Sequence, residues 1–255
     1  MLALLAIARP LMADLPARKQ LANTIKAAAE EEGVAERRLR RWIAISALIE
    51  VFNIARADGR LPPFLVKGGF ALEARFKSGA RASRDIDFVL EAQKRELLAA
   101  AVEAMRIDWS GFTFKIRGNP QEREHSYKFE VSASYKGQDW STFEVELVAG
   151  KVIDPEMVEP YPIDEFGLER PSDVPCMNVY EQVAQKLHAV TDPDENRPRD
   201  LVDIFLIGQQ IELEFENLRI AAETVFVQRA KHPWPSPIEL REGWAVAIEE
   251  IVDRN

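Results

Sequence analysis

The sequence predicts an α+β protein in which a mixed sheet with flanking helices is followed by a mostly helical C-terminal half. Helical spacing of apolar residues dominates both ends of the chain, whereas short apolar runs and alternating runs fill the middle. A proline-rich stretch, "VEPYPIDEF…RPSDVP", separates the two halves and is the best candidate hinge. We therefore predict an N-terminal helical segment (1–60), a central core (61–160) and a helical C-terminal domain (161–255).

The first part is predicted to be helical. Trp42, Ile45, Leu48 and Phe52 recur every three or four residues, which indicates one long amphipathic helix that "DGRLPP" ends. The opening "MLALLAIARPLM" lacks the basic n-region and the cleavage site of a signal peptide. We interpret it as a helix lead-in, or as an extension before a second start at Met12.

The central core is predicted to begin with two strand–helix pairs. "FLVK" and "DIDFVL" have the composition of short strands, and each precedes a helical stretch, "FALEARF" and "AQKRELLAAAVEAM". Three runs with alternating polarity follow, "FTFKIRG", "HSYKFEVSASY" and "TFEVELVAG". The turn residues between these runs predict antiparallel strands in a meander.

Four helices are predicted in the C-terminal part. Their sequences are "NVYEQVAQKLHAV", "RDLVDIFLIGQQ", "FENLRIAAETVFVQRA" and "SPIELREGWAVAIEEIV". Asn178 and Ser236 are predicted N-caps, the second with Pro237 at the first helical position.

Composition narrows the class of protein. The net charge of −9 argues against a non-specific DNA binder, which normally carries a basic surface. No apolar run reaches the roughly 18–20 residues that cross a bilayer, and the single cysteine, Cys176, permits no intrachain disulfide. These features predict a cytoplasmic protein without membrane contact. The arginine cluster "RRLRR" (37–41) is either a solvated helix face or a patch that contacts phosphate or a partner.

Two short motifs in the core carry the chemistry. Gly68 and Gly69 lie where a strand ends and a helix begins, so backbone N–H groups can approach a phosphate, and Lys67 adds positive charge. Asp85 and Asp87 are two residues apart on the next strand, so both carboxylates project from one face. Such carboxylates repel each other unless a divalent cation lies between them, and Mg²⁺ is the natural ion when a nucleotide supplies further oxygens.

A third carboxylate is expected from a later strand. "TFEVELV" presents Glu144 and Glu146 on one face, and we prefer Glu146 because it lies near the strand end; Glu130 is a more distant candidate. Ser83 and Arg84 immediately precede Asp85-Ile-Asp87. Arg84 is placed to reach substrate phosphate and Ser83 to support the turn or to be a target of self-modification, although a plain turn role is equally compatible.

With these motifs, the sequence resembles the nucleotidyltransferase superfamily, and more closely the AbiEii/AbiGii-type toxin nucleotidyltransferases. The resemblance rests on "KGGFALEARF" with "SRDIDFVL", then "YEQVAQKLHAV", then "RPRDLVDIFLI", which together span residues 64–207. It implies that residues 61–160 form a catalytic core with a DNA polymerase β-like fold. It also implies metal-dependent transfer of NMP from an NTP.

The same resemblance assigns roles to later residues. Lys186 is implied to contact phosphate and to neutralise charge on the leaving pyrophosphate, and Asp200 falls at the family's later acidic position. The residues themselves leave alternatives open, because Lys186 also fits a solvated helix face, and Asp200 and Asp203 fit the first turn of a helix, where acids complement the dipole. His188 more often packs than catalyses.

The resemblance also implies partners. Family toxins of this kind act on RNA, several on the tRNA acceptor end, and a cognate antitoxin holds them in check. The predicted partners are therefore an NTP, an RNA acceptor such as tRNA and an antitoxin, with one or two Mg²⁺ ions as cofactor. Two alternatives remain: a nucleotidyltransferase acting on a small-molecule or protein hydroxyl, and a catalytically silent binding module.

Overall fold

The computed structural model describes residues 15–253, so the predictions made for "MLALLAIARPLM" lie outside the described residues. Within this range a seven-stranded mixed sheet is flanked by helices. The strands are β1 (Phe64–Lys67), β2 (Asp85–Leu90), β3 (Phe112–Glu122), β4 (Ser126–Tyr135), β5 (Gln138–Ala149), β6 (Glu156–Val158) and β7 (Val174–Cys176). The helices are α1 (Arg18–Glu32), α2 (Glu36–Ala57), α3 (Gly68–Phe76), α4 (Lys94–Ala104), α5 (Val179–Thr191), α6 (Pro198–Gln210), α7 (Phe215–Arg229) and α8 (Trp244–Asp253).

The N-terminal part consists of two helices. Gly33 ends α1 in the left-handed region (φ +68°), where its N–H donates to Ala29 O. The long helix predicted around Trp42 is α2, but the expectation that it is amphipathic was wrong. Every residue from Trp42 to Phe52 is buried, so this stretch is a core helix that is buried on all its faces.

The sheet has the strand order β3-β4-β5-β2-β1-β7-β6. The predicted antiparallel meander of β3, β4 and β5 is confirmed. β2 joins it by running parallel to β5, while β1 pairs with β2 in the antiparallel sense. This arrangement places β2 at the centre of the sheet, with two neighbours that can add side chains to its exposed face.

The proline-rich region holds more regular structure than the sequence suggested. β6 and β7, three residues each, were not predicted, and they extend the sheet beyond β1. Between them, Ile163 and Phe166 are buried in the main core. The chain on both sides of residue 160 therefore contributes to one sheet, and the residue boundaries of the three predicted parts stay predictions.

The C-terminal helices match the predictions except at the last one. Asn178 caps α5 as expected, because its Oδ1 accepts the N–H of Tyr180 at 2.9 Å. The prediction that Ser236 caps the final helix was wrong: its hydroxyl donates to Pro233 O at 2.6 Å, and α8 begins only at Trp244. No described helix combines the length and the apolar character that crossing a membrane requires.

The arginine cluster at the start of α2 is divided between core and surface. Arg38 is buried and pairs with Glu73 of α3 at 2.9 Å, and it also donates to Ala80 O. Arg40 lies over the ring of Trp140. Arg38 is therefore part of the protein core. Only the other arginines of the cluster can contribute to a solvent-facing patch.

We predict that Arg38→Met lowers the free energy of unfolding by about 3–5 kcal/mol, because it leaves the buried carboxylate of Glu73 without its counter-ion. The matched control is Arg37→Met, an exposed position on the same helix, for which a change within about 0.5 kcal/mol is expected. Urea denaturation of both variants measures the difference. Equal stabilities would contradict a structural role for Arg38.

Candidate active site

The glycine pair forms the start of α3, directly after β1 and beside Asp87. Gly68 has φ +70°, and a Cβ added there would lie 2.2 Å from Asp87 Oδ2. A Cβ added at Gly69 would lie 2.7 Å from Ser83 Oγ. Both positions therefore exclude a side chain because carboxylate and hydroxyl groups already fill the space. Lys67, the last residue of β1, stands opposite Asp87 in the sheet register.

The parallel pairing of β2 with β5 brings the predicted carboxylates together. Asp85 is opposite Glu144 and Asp87 is opposite Glu146, so all four project from one face of the sheet. Glu144 is exposed. The fifth candidate, Glu130, is also exposed and lies one strand farther away, opposite Glu144.

Glu146 and Glu144 differ in how they are held. The Ser126 hydroxyl donates to Glu146 Oε1 at 2.7 Å, and Arg123 donates to its Oε2 at 3.2 Å. Glu144 instead makes an ion pair with Lys128 at 3.0 Å. Glu146 is thus the more buried and the more firmly oriented of the two, and it faces Asp87 rather than Asp85.

Asp87 carries an unfavourable charge in the folded protein. Its pKa is raised to about 6, chiefly by removal from water and then by the negative charge of Asp85; Lys67 opposes the shift and Glu146 adds to it. A cation bound between the carboxylates would relieve this repulsion. The donor set of two or three carboxylates on one face therefore fits a hard divalent ion.

The two residues before β2 have different environments. Ser83 is buried, and its hydroxyl donates to the backbone oxygen and the Oδ1 of Asp85 at 3.0 and 3.1 Å. It therefore orients the first carboxylate of the pair. Arg84 is exposed, and its charge contributes to lowering the pKa of nearby Arg41, for which burial is the largest cause.

A second charged cluster connects α5 and α6 to this site. The Lys186 ammonium, buried on α5, lies 2.7 Å from Asp200 Oδ1 and 2.6 Å from Asp203 Oδ2. Arg81 makes two hydrogen bonds to Asp203, at 2.7 and 2.8 Å. Its guanidinium also passes within 3.3 Å of the Cβ position at Gly69. The predicted residues Lys186 and Asp200 thus belong to one network beside the glycine turn.

Arg81 and Gln182 were missed by sequence reasoning. Arg81 is a lone arginine in a loop, and Gln182 is one polar residue on a helix, so neither carries a motif. In the structure the Gln182 amide donates to Gly68 O at 2.8 Å and accepts from Arg75 at 2.9 Å. A polar residue on the buried face of an amphipathic helix was the one signal that pointed to Gln182.

Comparison with known proteins identifies the family and the fold of the chain. A family profile described as "Nucleotidyl transferase AbiEii toxin, Type IV TA system" matches residues 54–254. Among solved structures, the chain is similar to MenT4, a nucleotidyltransferase toxin from Mycobacterium tuberculosis H37Rv, with a TM-score of 0.58 and 15% identity over 92% of this chain and 88% of that one. JHP933 from Helicobacter pylori gives a TM-score of 0.49 with 16% identity over 86% and 91%. No curated protein sequence gives a significant match.

The fold and the family match define the class of the protein, an α+β nucleotidyltransferase with a polymerase β-like core. More specifically, the chain belongs to the AbiEii family of toxin nucleotidyltransferases from type IV toxin–antitoxin systems. Membership implies a nucleotide substrate and a cognate antitoxin.

We predict that Gly68→Ala lowers the free energy of unfolding far more than Gly59→Ala does. Both glycines have positive φ, +70° and +72°, but a Cβ at Gly59 would meet nothing within 4 Å. Backbone strain alone costs about 1 kcal/mol at Gly59, whereas displacement of Asp87 adds at least about 2 kcal/mol at Gly68. Denaturant unfolding of the two variants gives the comparison, and equal losses would show that Asp87 moves aside freely.

We also predict that Asp87→Asn stabilises the metal-free protein at neutral pH by about 1–2 kcal/mol. The pKa of Asp87 in the folded chain, about 6, lies above its ordinary value of 3.8. Between pH 3.8 and about 6 the folded state therefore binds more protons than the unfolded state. The free energy of unfolding consequently falls as pH rises through this range.

Thermal unfolding of both proteins across this pH range, with chelator present, measures the effect. The gain of the variant over wild type should be small at the acid end and complete above pH about 6. A difference that does not change with pH would contradict the raised pKa.

Proposed function

We propose that the protein transfers NMP from an NTP to a hydroxyl of an RNA acceptor, with the tRNA 3′ end as the preferred acceptor, in a Mg²⁺-dependent reaction that blocks translation. The observation that carries the proposal is the convergence of Asp85, Asp87 and Glu146 on one sheet face beside the Gly68-Gly69 turn.

Asp85, Asp87 and Glu146 are the proposed metal ligands. Their oxygens suit Mg²⁺, and burial, followed by the negative charge of Asp85, raises the pKa of Asp87 despite the nearby charge of Lys67. When bound, Mg²⁺ supplies charge neutralisation at the reacting phosphate and at the attacking and leaving oxygens. Ser83 and Ser126 contribute by orienting Asp85 and Glu146 respectively.

The triphosphate is proposed to lie on the turn between β1 and α3. Gly68 and Gly69 expose backbone N–H groups at the N-terminus of α3, where negative charge is favoured. Lys67 and Arg84 add cations on either side of the carboxylates, Lys67 at the end of β1 and Arg84 just before β2. Gln182 holds the turn through Gly68 O.

The proposed reaction is an in-line displacement at the α-phosphorus. The acceptor oxygen forms a bond to this phosphorus, the bond to the bridging oxygen breaks, and pyrophosphate leaves with that electron pair. Glu146 is the proposed base that receives the hydroxyl proton, since its carboxylate stands opposite Asp87. Lys186 is proposed to contact the phosphates by exchanging its bond to Asp200, which is the more exposed of its two partners.

A basic surface beside the site supports a polyanionic acceptor. Arg37 and Arg84 are exposed, and both lie close enough to Arg41 that their charges lower its pKa after the larger effect of burial. This local positive charge contrasts with the net charge of −9. RNA phosphates would be attracted there despite the acidic protein.

The decisive experiment is a transfer assay on wild type, Asp85→Asn and the control Asp108→Asn, an exposed aspartate outside the site. Each protein is incubated with Mg²⁺, one labelled NTP at a time and total bacterial RNA. We expect label in a tRNA-sized band with wild type and the control, and a loss of about 10³-fold or more with Asp85→Asn.

Each other outcome has a definite meaning. Pyrophosphate release without label in RNA, but with a small-molecule or protein acceptor, would replace RNA as the acceptor class. No transfer to any acceptor would make the protein a silent binding module. Activity that persists when Mg²⁺ is chelated would overturn the metal requirement.

A further inference from the structure

The C-terminal helices gather two of the chain's three histidines at one point. His188 near the end of α5 and His232 after α7 have ring centroids 4.4 Å apart. Asp192 follows His188 by one helical turn, and one potential ligand atom from each of the three lies within 4.8 Å of the others. Phe226 covers the pair, with its ring 4.9 and 5.0 Å from the two imidazoles.

Both histidines have a buried nitrogen without a hydrogen-bond partner. His188 is only 1% exposed, and its Nε2 has no partner, nor does Nδ1 of His232. Buried polar atoms are nearly always satisfied in folded proteins. Two unsatisfied imidazole nitrogens beside the buried carboxylate of Asp192 therefore indicate that a ligand binds between them.

The hydrogen bonds of Thr191 determine which nitrogen of His232 is free to bind a ligand. The Thr191 hydroxyl donates to Leu187 O at 2.8 Å, so it accepts from His232 Nε2, also at 2.8 Å. His232 then carries its proton on Nε2, which leaves a lone pair on the unpartnered Nδ1. An outer hydrogen bond that orients the ring in this way is the usual accompaniment of a metal-bound histidine.

We propose that His188, Asp192 and His232 bind a divalent transition-metal ion, with Zn²⁺ as the ion that best fits two imidazoles and one carboxylate. Mg²⁺ is a poor match because hard cations prefer an all-oxygen set. Ligands about 2 Å from Zn²⁺ stand about 3.4 Å apart in a tetrahedron, so the side chains must close by about 1.4 Å. His232 can supply this movement because it is only partly buried and lies in the connection after α7.

One protein cation competes for the carboxylate. Lys231 Nζ lies 3.2 Å from Asp192 Oδ2, while Oδ1 accepts the N–H of Asp194 at 3.0 Å. The lysine side chain is 56% exposed and can swing into solvent. The structure therefore predicts that Lys231 weakens metal binding. Removing its charge should raise the affinity for the metal, whereas removing a ligand should lower it.

The proposed ion would be structural rather than catalytic. It would join the end of α5 to the segment after α7, at the base of the loop between α5 and α6. Trp244 also binds this loop, donating to Asn196 Oδ1 at 2.6 Å. Because the loop leads directly to Asp200, a fixed loop would hold that carboxylate in place for Lys186.

The test uses the whole chain, freed of metal by chelator and titrated calorimetrically with Zn²⁺ in the presence of excess Mg²⁺. Four proteins are compared: wild type, His232→Ala, Lys231→Gln and the control His125→Ala, an exposed histidine outside the cluster. His232→Ala is chosen because it removes a partly buried ring, and circular dichroism checks its fold. Co²⁺ in place of Zn²⁺ reports nitrogen ligation through its visible absorption.

We expect wild type and His125→Ala to bind one equivalent of Zn²⁺ and to gain thermal stability with it. His232→Ala should bind at least about 100-fold more weakly, and Lys231→Gln about 10-fold more tightly because the competing ammonium is gone. Equal affinity of wild type and His232→Ala, no binding at all, or displacement of Zn²⁺ by Mg²⁺ would each overturn the proposal. None of these readouts depends on transferase activity.

Discussion

The charge of Asp87 is the constraint on which the rest of the site depends. A partly buried carboxylate next to Asp85 and Glu146 is unfavourable unless something positive approaches it. The Asp87 carboxylate can occupy its position because Gly68 has no side chain, since a Cβ there would lie 2.2 Å from Asp87 Oδ2. The amide of Gln182 anchors the glycine turn by donating to Gly68 O.

Two buried ion-pair systems hold the segment between α3 and β2. In the first, Arg38 pairs with Glu73, which in turn accepts a backbone hydrogen bond from Ser83. In the second, Arg81 binds Asp203. Buried ion pairs contribute little net stability compared with apolar packing. Their main effect here is to fix the position of this segment. Both systems keep the residues that lead into Asp85 in a defined conformation.

The sequence predicted the features that depend on neighbouring residues. It did not predict those that depend on contacts between residues remote in sequence. Alternation along a strand was enough to place Asp85 and Asp87 on one face, and it also predicted the meander that carries Glu146. The sequence favoured Glu146 because it lies near the strand end, but the register of β2 against β5 that sets Glu146 opposite Asp87 is contained in no local pattern. Arg81 resembled a surface residue because its partner is remote in sequence, and three-residue strands such as β7 are shorter than the patterns that reveal strands.

The order in which the chain is synthesised determines when the parts of this site can meet. Two contacts join distant parts of the sequence: the parallel pairing of β2 with β5 and the bond between Arg81 and Asp203. Arg81 and Asp203 are separated by 122 positions, and domains fold from the N-terminus as the ribosome releases them. A nascent chain can form β1, β2 and the glycine turn early, yet it lacks Glu146 until β5 emerges and Lys186 until α5 follows. Contacts of such long range form late, so the carboxylates of β2 and β5 and the network of Lys186 with Asp200 and Asp203 come together only after most of the chain has been made.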